Sequence, residues 1–251
     1  MPCVRKGFEG MKVYLKNIDF TPYKRDNYII LLSAPLLLSL YYYNGRSSEF
    51  LHYFPNFIGN DHADLYSMYW QFCCFFILMG LLPVLYLIGK MHASFKDFGL
   101  GAGEWKKGLR YVLFLMPVII LIIWFAAKLP GIQAEYPMLR SLLYNRAGFW
   151  PYEIAYVLFY YVSWEFYFRG FLLFGLAREL GKSNALLIQI ALSCLIHLGK
   201  PEAETLGAII AGLIFGIIAF KSRSIWYGII LHATIGVLTD YFSLLHIAKG
   251  Y

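Results

Sequence analysis

Glu165 and Arg169 stand one helical turn apart near the middle of residues 150–181, WPYEIAYVLFYYVSWEFYFRGFLLFGLARELG. The stretch is apolar and long enough to cross a bilayer. An ionisable side chain at the centre of a membrane helix costs about 2.5–3.5 kcal/mol even on lenient insertion scales. A helix that keeps two of them must supply a partner, a cavity or a reaction. The rest of the chain has to provide one of the three.

Composition points to the same solvent. Of 251 residues, 59% are hydrophobic and 15% charged, and the mean hydropathy is +0.56. A soluble domain of this length carries about 25% charged residues, so the balance is that of a polytopic membrane protein. Aromatic residues reach 19%, with 21 Tyr and 21 Phe, a surplus suited to interfacial belts. The net charge of +7 does not indicate nucleic acid, because the basic residues fall in loops between apolar spans. Of the four cysteines, Cys73, Cys74 and Cys194 lie in apolar spans and are expected as buried free thiols, with Cys3 near the start of the chain. No CxxC pair or Cys/His zinc spacing occurs. The opening residues MPCVRKGFEGMKVYLKN hold no uninterrupted apolar run, so no cleavable signal is expected there.

The hydropathy pattern gives an all-α, polytopic helix bundle of about seven spans, near residues 28–43, 68–88, 111–127, 150–181, 184–198, 204–220 and 225–245. They group into a basic cytoplasmic head (1–26), three N-terminal spans with their loops (27–149) and a core of four spans (150–251). Pro83 is expected to kink the second span. Gly181 reads as a C-cap, with Lys182-Ser183-Asn184 following as a new N-cap. Gly212 and Gly216 form a small-xxx-small face for close packing. His52 and His62, in the polar loop 44–66, read as surface histidines. With the N-terminus inside, fifteen Lys and Arg fall on the cytoplasmic side and six outside, with Arg169 in a span. That asymmetry favours N-in, C-out.

Depth along the spans brings three groups together. At 1.5 Å per residue, Glu165 lies roughly 20 Å above the cytoplasmic end of its helix, His197 roughly 21 Å and His232 roughly 12 Å. Three groups able to handle protons thus fall within about 9 Å of one level, a gap that tilt and side-chain reach can close. One carboxylate and two imidazoles in a dry cavity suit water activation, with a desolvated carboxylate as base and an imidazole donating to an oxyanion. They also make up a His₂Glu zinc set by residue type, though no HExxH spacing supports it. Ser163 and Ser193 lack a local nucleophile motif. Against these stand structural readings: an i,i+4 ion pair that neutralises itself, and histidines that only bond across helices. Asp240, two turns beyond His232 on the same face, either orients that histidine's surroundings or sits at the outer interface.

At these residues the chain resembles the CPBP family, the CAAX-processing and bacteriocin-processing intramembrane proteases also called Abi, over roughly residues 150–242. That family carries EExxxRG, then FxxxH, then HxxxN. Here the first reads Trp164-Glu165-Phe166-Tyr167-Phe168-Arg169-Gly170, the second Ser193-Cys194-Leu195-Ile196-His197, and the third His232-Ala233-Thr234-Ile235-Gly236. Trp164 stands where the family has its first glutamate, Ser193 where it has phenylalanine, and Gly236 where it has the asparagine that helps hold the oxyanion. Glu202 and Glu204 are candidates for the missing second carboxylate, or first-turn acids at a helix N-terminus.

The resemblance implies an intramembrane endopeptidase acting on a membrane-presented peptide or protein, with Glu165, Arg169, His197 and His232 as catalytic residues. Glu165 and His197 would polarise water and His232 would hold the oxyanion. It favours a metal-independent mechanism: no cofactor is expected, zinc staying open on residue types. The expected partners are the substrate and the bilayer, with no nucleic acid, and the expected location is a prokaryotic cytoplasmic membrane. Two other classes fit the same residues: a non-catalytic scaffold that keeps the fold, and a proton-coupled transporter using Glu165 and the histidines as a relay. No inverted repeat supports the latter.

Overall fold

The computed structural model describes residues 22–249. Cys3 and most of the 1–26 head lie outside them. The described residues are helices and short turns, as the composition requires. Helix α1, Pro22–Leu40, runs on through a π turn at Tyr41–Gly45. Helix α2 spans Ala63–Met91 and α3 Trp105–Ala126. Helix α4 covers 149–180 and α5 covers 182–195. The last two are α6, Glu202–Ser222, and α7, Trp226–Lys249. Among the described residues, α2, α3, α6 and α7 are each long and apolar enough to cross a membrane. This is the expected helical membrane bundle.

Helix α4 is its central rod. Every residue from 163 to 173 is buried, so this segment has no face left for lipid. A helix apolar all round belongs in an interior, and its neighbours explain how it gets there. Helix α1 reaches it through Ser33 Oγ and Tyr167 Oη, 2.8 Å apart. Helix α2 stacks Phe72 on Tyr156 and Phe75 on Trp164, with ring centroids 4.8 and 5.5 Å apart. On α6, a Cβ at Gly216 would lie 3.7 Å from Leu173 of α4. In hydrocarbon, such packing replaces the water-driven hydrophobic effect as the force between helices. Helix α3 is the opposite case. Leu113, Phe114, Leu121 and Phe125 are all exposed, as suits a rod at the lipid boundary.

Much of the aromatic surplus therefore fills the core around α4: Tyr152, Tyr156, Tyr161, Trp164, Tyr167 and Phe168 are all buried. The cysteines depart from expectation. Cys73, Cys74 and Cys194 are free, but Cys73 is exposed and the other two are half-buried. An apolar span has an outer face as well as an inner one, and hydropathy does not say which a thiol takes.

Several local expectations hold. Gly181 breaks the chain between α4 and α5 at φ 79°, ψ 158°, a conformation open to glycine. Asn184 acts differently from an N-cap, donating from Nδ2 to Leu180 O at the end of α4 (2.9 Å). Pro83 is preceded by a π turn, Phe76–Leu81, which absorbs the missing backbone donor without ending α2. The glycine face of α6 packs on α5: Gln189 Nε2 donates to Gly212 O at 2.9 Å, and Ile190 and Leu186 close on Gly212 and Gly216. His52 and His62 are exposed.

The two ends of the bundle are tied by loops. At the end where α4 stops, the 92–104 loop roofs the α6–α7 turn: Ile225 N donates to Gly99 O at 2.9 Å, and Tyr227 Oη to Ala102 O at 2.8 Å. Ser222 and Ser224 beneath it are fully buried. At the other end, the 127–148 loop is fastened to two helices and to the α5–α6 turn. Ser141 N donates to Asp64 Oδ2 (3.0 Å), Tyr136 Oη to Glu204 Oε1 (2.8 Å), and Lys200 pairs with Glu135.

Candidate active site

Helix α4 is wound unevenly where it carries its charges. Wide π turns, Tyr156–Tyr161 and Phe166–Phe174, flank one α turn, Val162–Glu165. Such insertions re-aim side chains and are frequent at functional sites. Here they leave Tyr161, Trp164, Glu165 and Arg169 buried together in the middle of the bundle.

Glu165 is fully buried and aimed at α7. Its Oε1 accepts from His232 Nδ1 at 2.7 Å and lies 3.1 Å from Arg169 Nη1. Its Oε2 has no hydrogen-bond partner among the described residues. It rests against the α7 backbone, 2.8 Å from where a Cβ on Gly228 would stand. The guanidinium of Arg169 is closed in by the rings of Phe168 and Phe215, 6.0 and 5.6 Å from their centroids. Neither charge touches lipid, and each neutralises the other. Removing one partner from such a pair leaves a buried charge at a cost of about 3–5 kcal/mol.

His232 is set between two glycines, Gly228 and Gly236, four residues to either side on α7. Each glycine makes room for a polar tip from α4. Glu165 Oε2 fills the space at Gly228, and the Tyr161 hydroxyl fills that at Gly236, 1.8 Å from where a Cβ would stand. The rows Tyr161-x₃-Glu165 and Gly228-x₃-His232-x₃-Gly236 thus mesh in antiparallel register. The Tyr161 and His232 rings lie 4.8 Å apart.

His197 comes from the turn after α5. Its Nδ1 lies 2.6 Å from Ser193 O, and the turn is held from α6 by Thr205 Oγ1 donating to His197 O at 2.9 Å. It does not touch Glu165. The indole of Trp164 lies between the two imidazoles, with centroids 5.1 Å from His197 and 5.8 Å from His232. Carboxylates and carbonyls only accept, so in both rings the proton is assigned to Nδ1. In the neutral rings, both Nε2 atoms are then left with a lone pair.

The sequence-predicted residues thus meet as follows. Glu165, Arg169 and His232 form one contact group, and His197 joins across Trp164. The roughly 9 Å offset expected for His232 does not keep it from Glu165, whose Oε1 it meets at 2.7 Å. Ser163 and Ser193 donate to their own helix carbonyls, Phe159 O and Ile190 O. Glu204 turns to Tyr136 and Glu202 is exposed, so neither supplies a second carboxylate beside Glu165. No three His, Cys, Asp or Glu side chains come together as metal ligands among the described residues. The His₂Glu zinc set therefore lacks its geometry.

Asp240 belongs to another group. It is fully buried and faces Glu153 and Tyr152 of α4. None of the four carboxylate oxygens of Glu153 and Asp240 has an aligned hydrogen-bond partner among the described residues. Glu153, Tyr161 and Gly228 were not singled out from the sequence. The signal for the latter two was present: both sit four residues from a named site residue.

Residues 146–238 match the family described as type II CAAX prenyl endopeptidase, Rce1-like. That segment contains every residue of the site, and the resemblance carried by the three motifs holds there. No curated protein and no solved structure matches the chain.

Proposed function

We propose that this chain is a membrane peptidase of the CAAX-processing type, which hydrolyses a peptide bond in a substrate presented at the bilayer. The observation that carries the reading is the junction at Glu165 Oε1, where a buried carboxylate is shared by Arg169 and His232 inside an apolar helix bundle. A membrane fold has a use for such an arrangement when it must hold a base in one tautomer away from bulk water.

In this reading Glu165 is not itself the atom that takes the proton. Both its oxygens are enclosed, one by Arg169 and His232 and the other by the α7 backbone. It acts through His232, fixing the Nδ1–H and leaving Nε2 to accept a proton from water. His197, fixed in the same sense by Ser193 O, offers a second Nε2 to orient that water. As the water oxygen bonds to the carbonyl carbon, its proton passes to His232. When the tetrahedral intermediate collapses, the C–N bond breaks and His232 returns the proton to the amine. The basic end of the bundle, with Arg178, Lys182, Lys221 and Arg223, faces the cytoplasm.

A Glu165→Gln protein tests this. The amide cannot hold the imidazolium that forms during reaction, so cleavage is expected to fall by at least about 10²-fold while substrate stays bound and co-purifies. Unchanged cleavage by a folded, inserted variant ends the assignment.

One observation favours a second reading. The Trp164 indole fills the space between the imidazoles that a reacting water would use. In a non-catalytic membrane scaffold this plug would be permanent. His197→Ala would then leave the cellular phenotype intact, whereas variants that unfold the bundle would abolish it.

A further inference from the structure

Peptide hydrolysis needs a hydrogen-bond donor where the carbonyl oxygen turns into an oxyanion. The two imidazoles do not supply one. A neutral imidazole carries one N–H. That of His232 is held by Glu165 Oε1 and that of His197 by Ser193 O. Arg169 lies one turn beyond Glu165, on the side away from Tyr161, and is closed in by Glu165, Phe168 and Phe215.

A phenol stands at the vacant place. Helix α7 has no side chain at Gly236, one turn past His232, and the space is taken by Tyr161: a Cβ there would lie 1.8 Å from Oη and 2.4 Å from Cζ. The ring lies 4.8 Å from that of His232 and is 5% exposed. Its hydroxyl is thus held about one helical pitch, 5.4 Å, along α7 from the base. The neighbouring Tyr156 ring has its centroid 4.5 Å from that of Tyr161, and an oxyanion is a stronger acceptor than a phenol oxygen.

We infer that Tyr161 is a further catalytic residue of the hydrolysis proposed above, its hydroxyl donating to the substrate carbonyl oxygen as negative charge develops there. The inference rests on that reading. The carbonyl π electrons move onto oxygen as water adds, and Tyr161 O–H meets that charge. They return when the C–N bond breaks. The phenol keeps its proton throughout, so it takes no part in the transfer between water, His232 and the amine.

The test uses the full chain in lipid vesicles and a quenched-fluorescence peptide ending in a prenylated CAAX sequence. Tyr161→Phe is expected to lower kcat by about 10²–10³-fold with KM little changed. Tyr167→Phe, which removes a buried phenol on the α1 side of the same helix, should keep kcat within a few-fold of the wild type. A fluorinated tyrosine at position 161 keeps the shape but makes the phenol more acidic, and should move the alkaline limb of the kcat profile to lower pH. A packing role would leave that limb in place, and this readout also serves if Tyr161→Phe folds poorly. Wild-type kcat in Tyr161→Phe, or an equal loss in Tyr167→Phe, overturns the inference while leaving proteolysis standing. A folded wild type that cleaves nothing overturns both.

Discussion

Glu165 Oε1 accepts the Nδ1–H of His232 at 2.7 Å across 67 residues of chain. The contact joins the central helix to the last one, and it depends on features of both. Helix α4 holds the carboxylate away from lipid, and α7 opens a glycine notch on either side of the imidazole. Charge and packing at this junction can be separated by experiment.

The ion pair should be dispensable for folding but not for reaction. Arg169→Met alone strands a buried carboxylate and is expected to cost about 3–5 kcal/mol. Glu165→Gln with Arg169→Met removes both charges and should recover most of that stability, since no uncompensated buried charge is left. Thermal unfolding in detergent, set beside cleavage of the same samples, checks this. Recovered cleavage in the double variant would count against the Glu165 role.

The glycines should differ by position rather than by type. A Cβ at Gly228 meets Glu165 Oε2 at 2.8 Å and one at Gly236 meets Tyr161 Oη at 1.8 Å, whereas Gly207 on α6 has nothing within 4 Å. Alanine at 228 or 236 is expected to lose about 1–3 kcal/mol through overpacking. Alanine at 207 should gain about 0.5–1 kcal/mol from helix propensity. Equal effects at all three would refute the meshed α4–α7 register.

Glu153 and Asp240 face each other, and their carboxylate oxygens have no aligned partners among the described residues. Two carboxyls in contact away from water cannot both ionise, so one O–H stays between them. Glu153→Gln exchanges that donor for an amide N–H and is expected to leave stability within about 1 kcal/mol, whereas Glu153→Leu leaves Asp240 unpaired and should cost about 1–3 kcal/mol. Equal melting temperatures for the two variants would count against the shared proton.

The 127–148 loop should open when its phenol latch is cut. Tyr136→Phe leaves Glu204 Oε1 without its donor, at a cost of about 1–3 kcal/mol, and should speed protease nicking within the loop. Burial holds the Tyr136 phenol well above its ordinary pKa. The contribution is therefore fully present below the unfolded phenol's value of about 10 and falls as pH rises beyond it. Nicking that accelerates at neutral pH without the substitution would contradict the latch.

Sequence by itself settled the solvent and marked the candidate residues. Low charge and long apolar runs require a helical membrane bundle, because backbone groups in lipid must be satisfied within each segment. The penalty on ionisable groups marks Glu165, Arg169, His197 and His232 wherever they appear in such runs. Tertiary structure decided what they touch. Rise per residue gives depth but not rotation about the helix axis, and π turns in α4 change that rotation locally. Only the packed bundle could therefore put Glu165 on His232, stand Trp164 between the histidines and press the Tyr161 hydroxyl into the space at Gly236. The same limit explains the cysteines. Hydropathy finds a span, but whether a residue on it meets protein or lipid depends on which rods lie beside it.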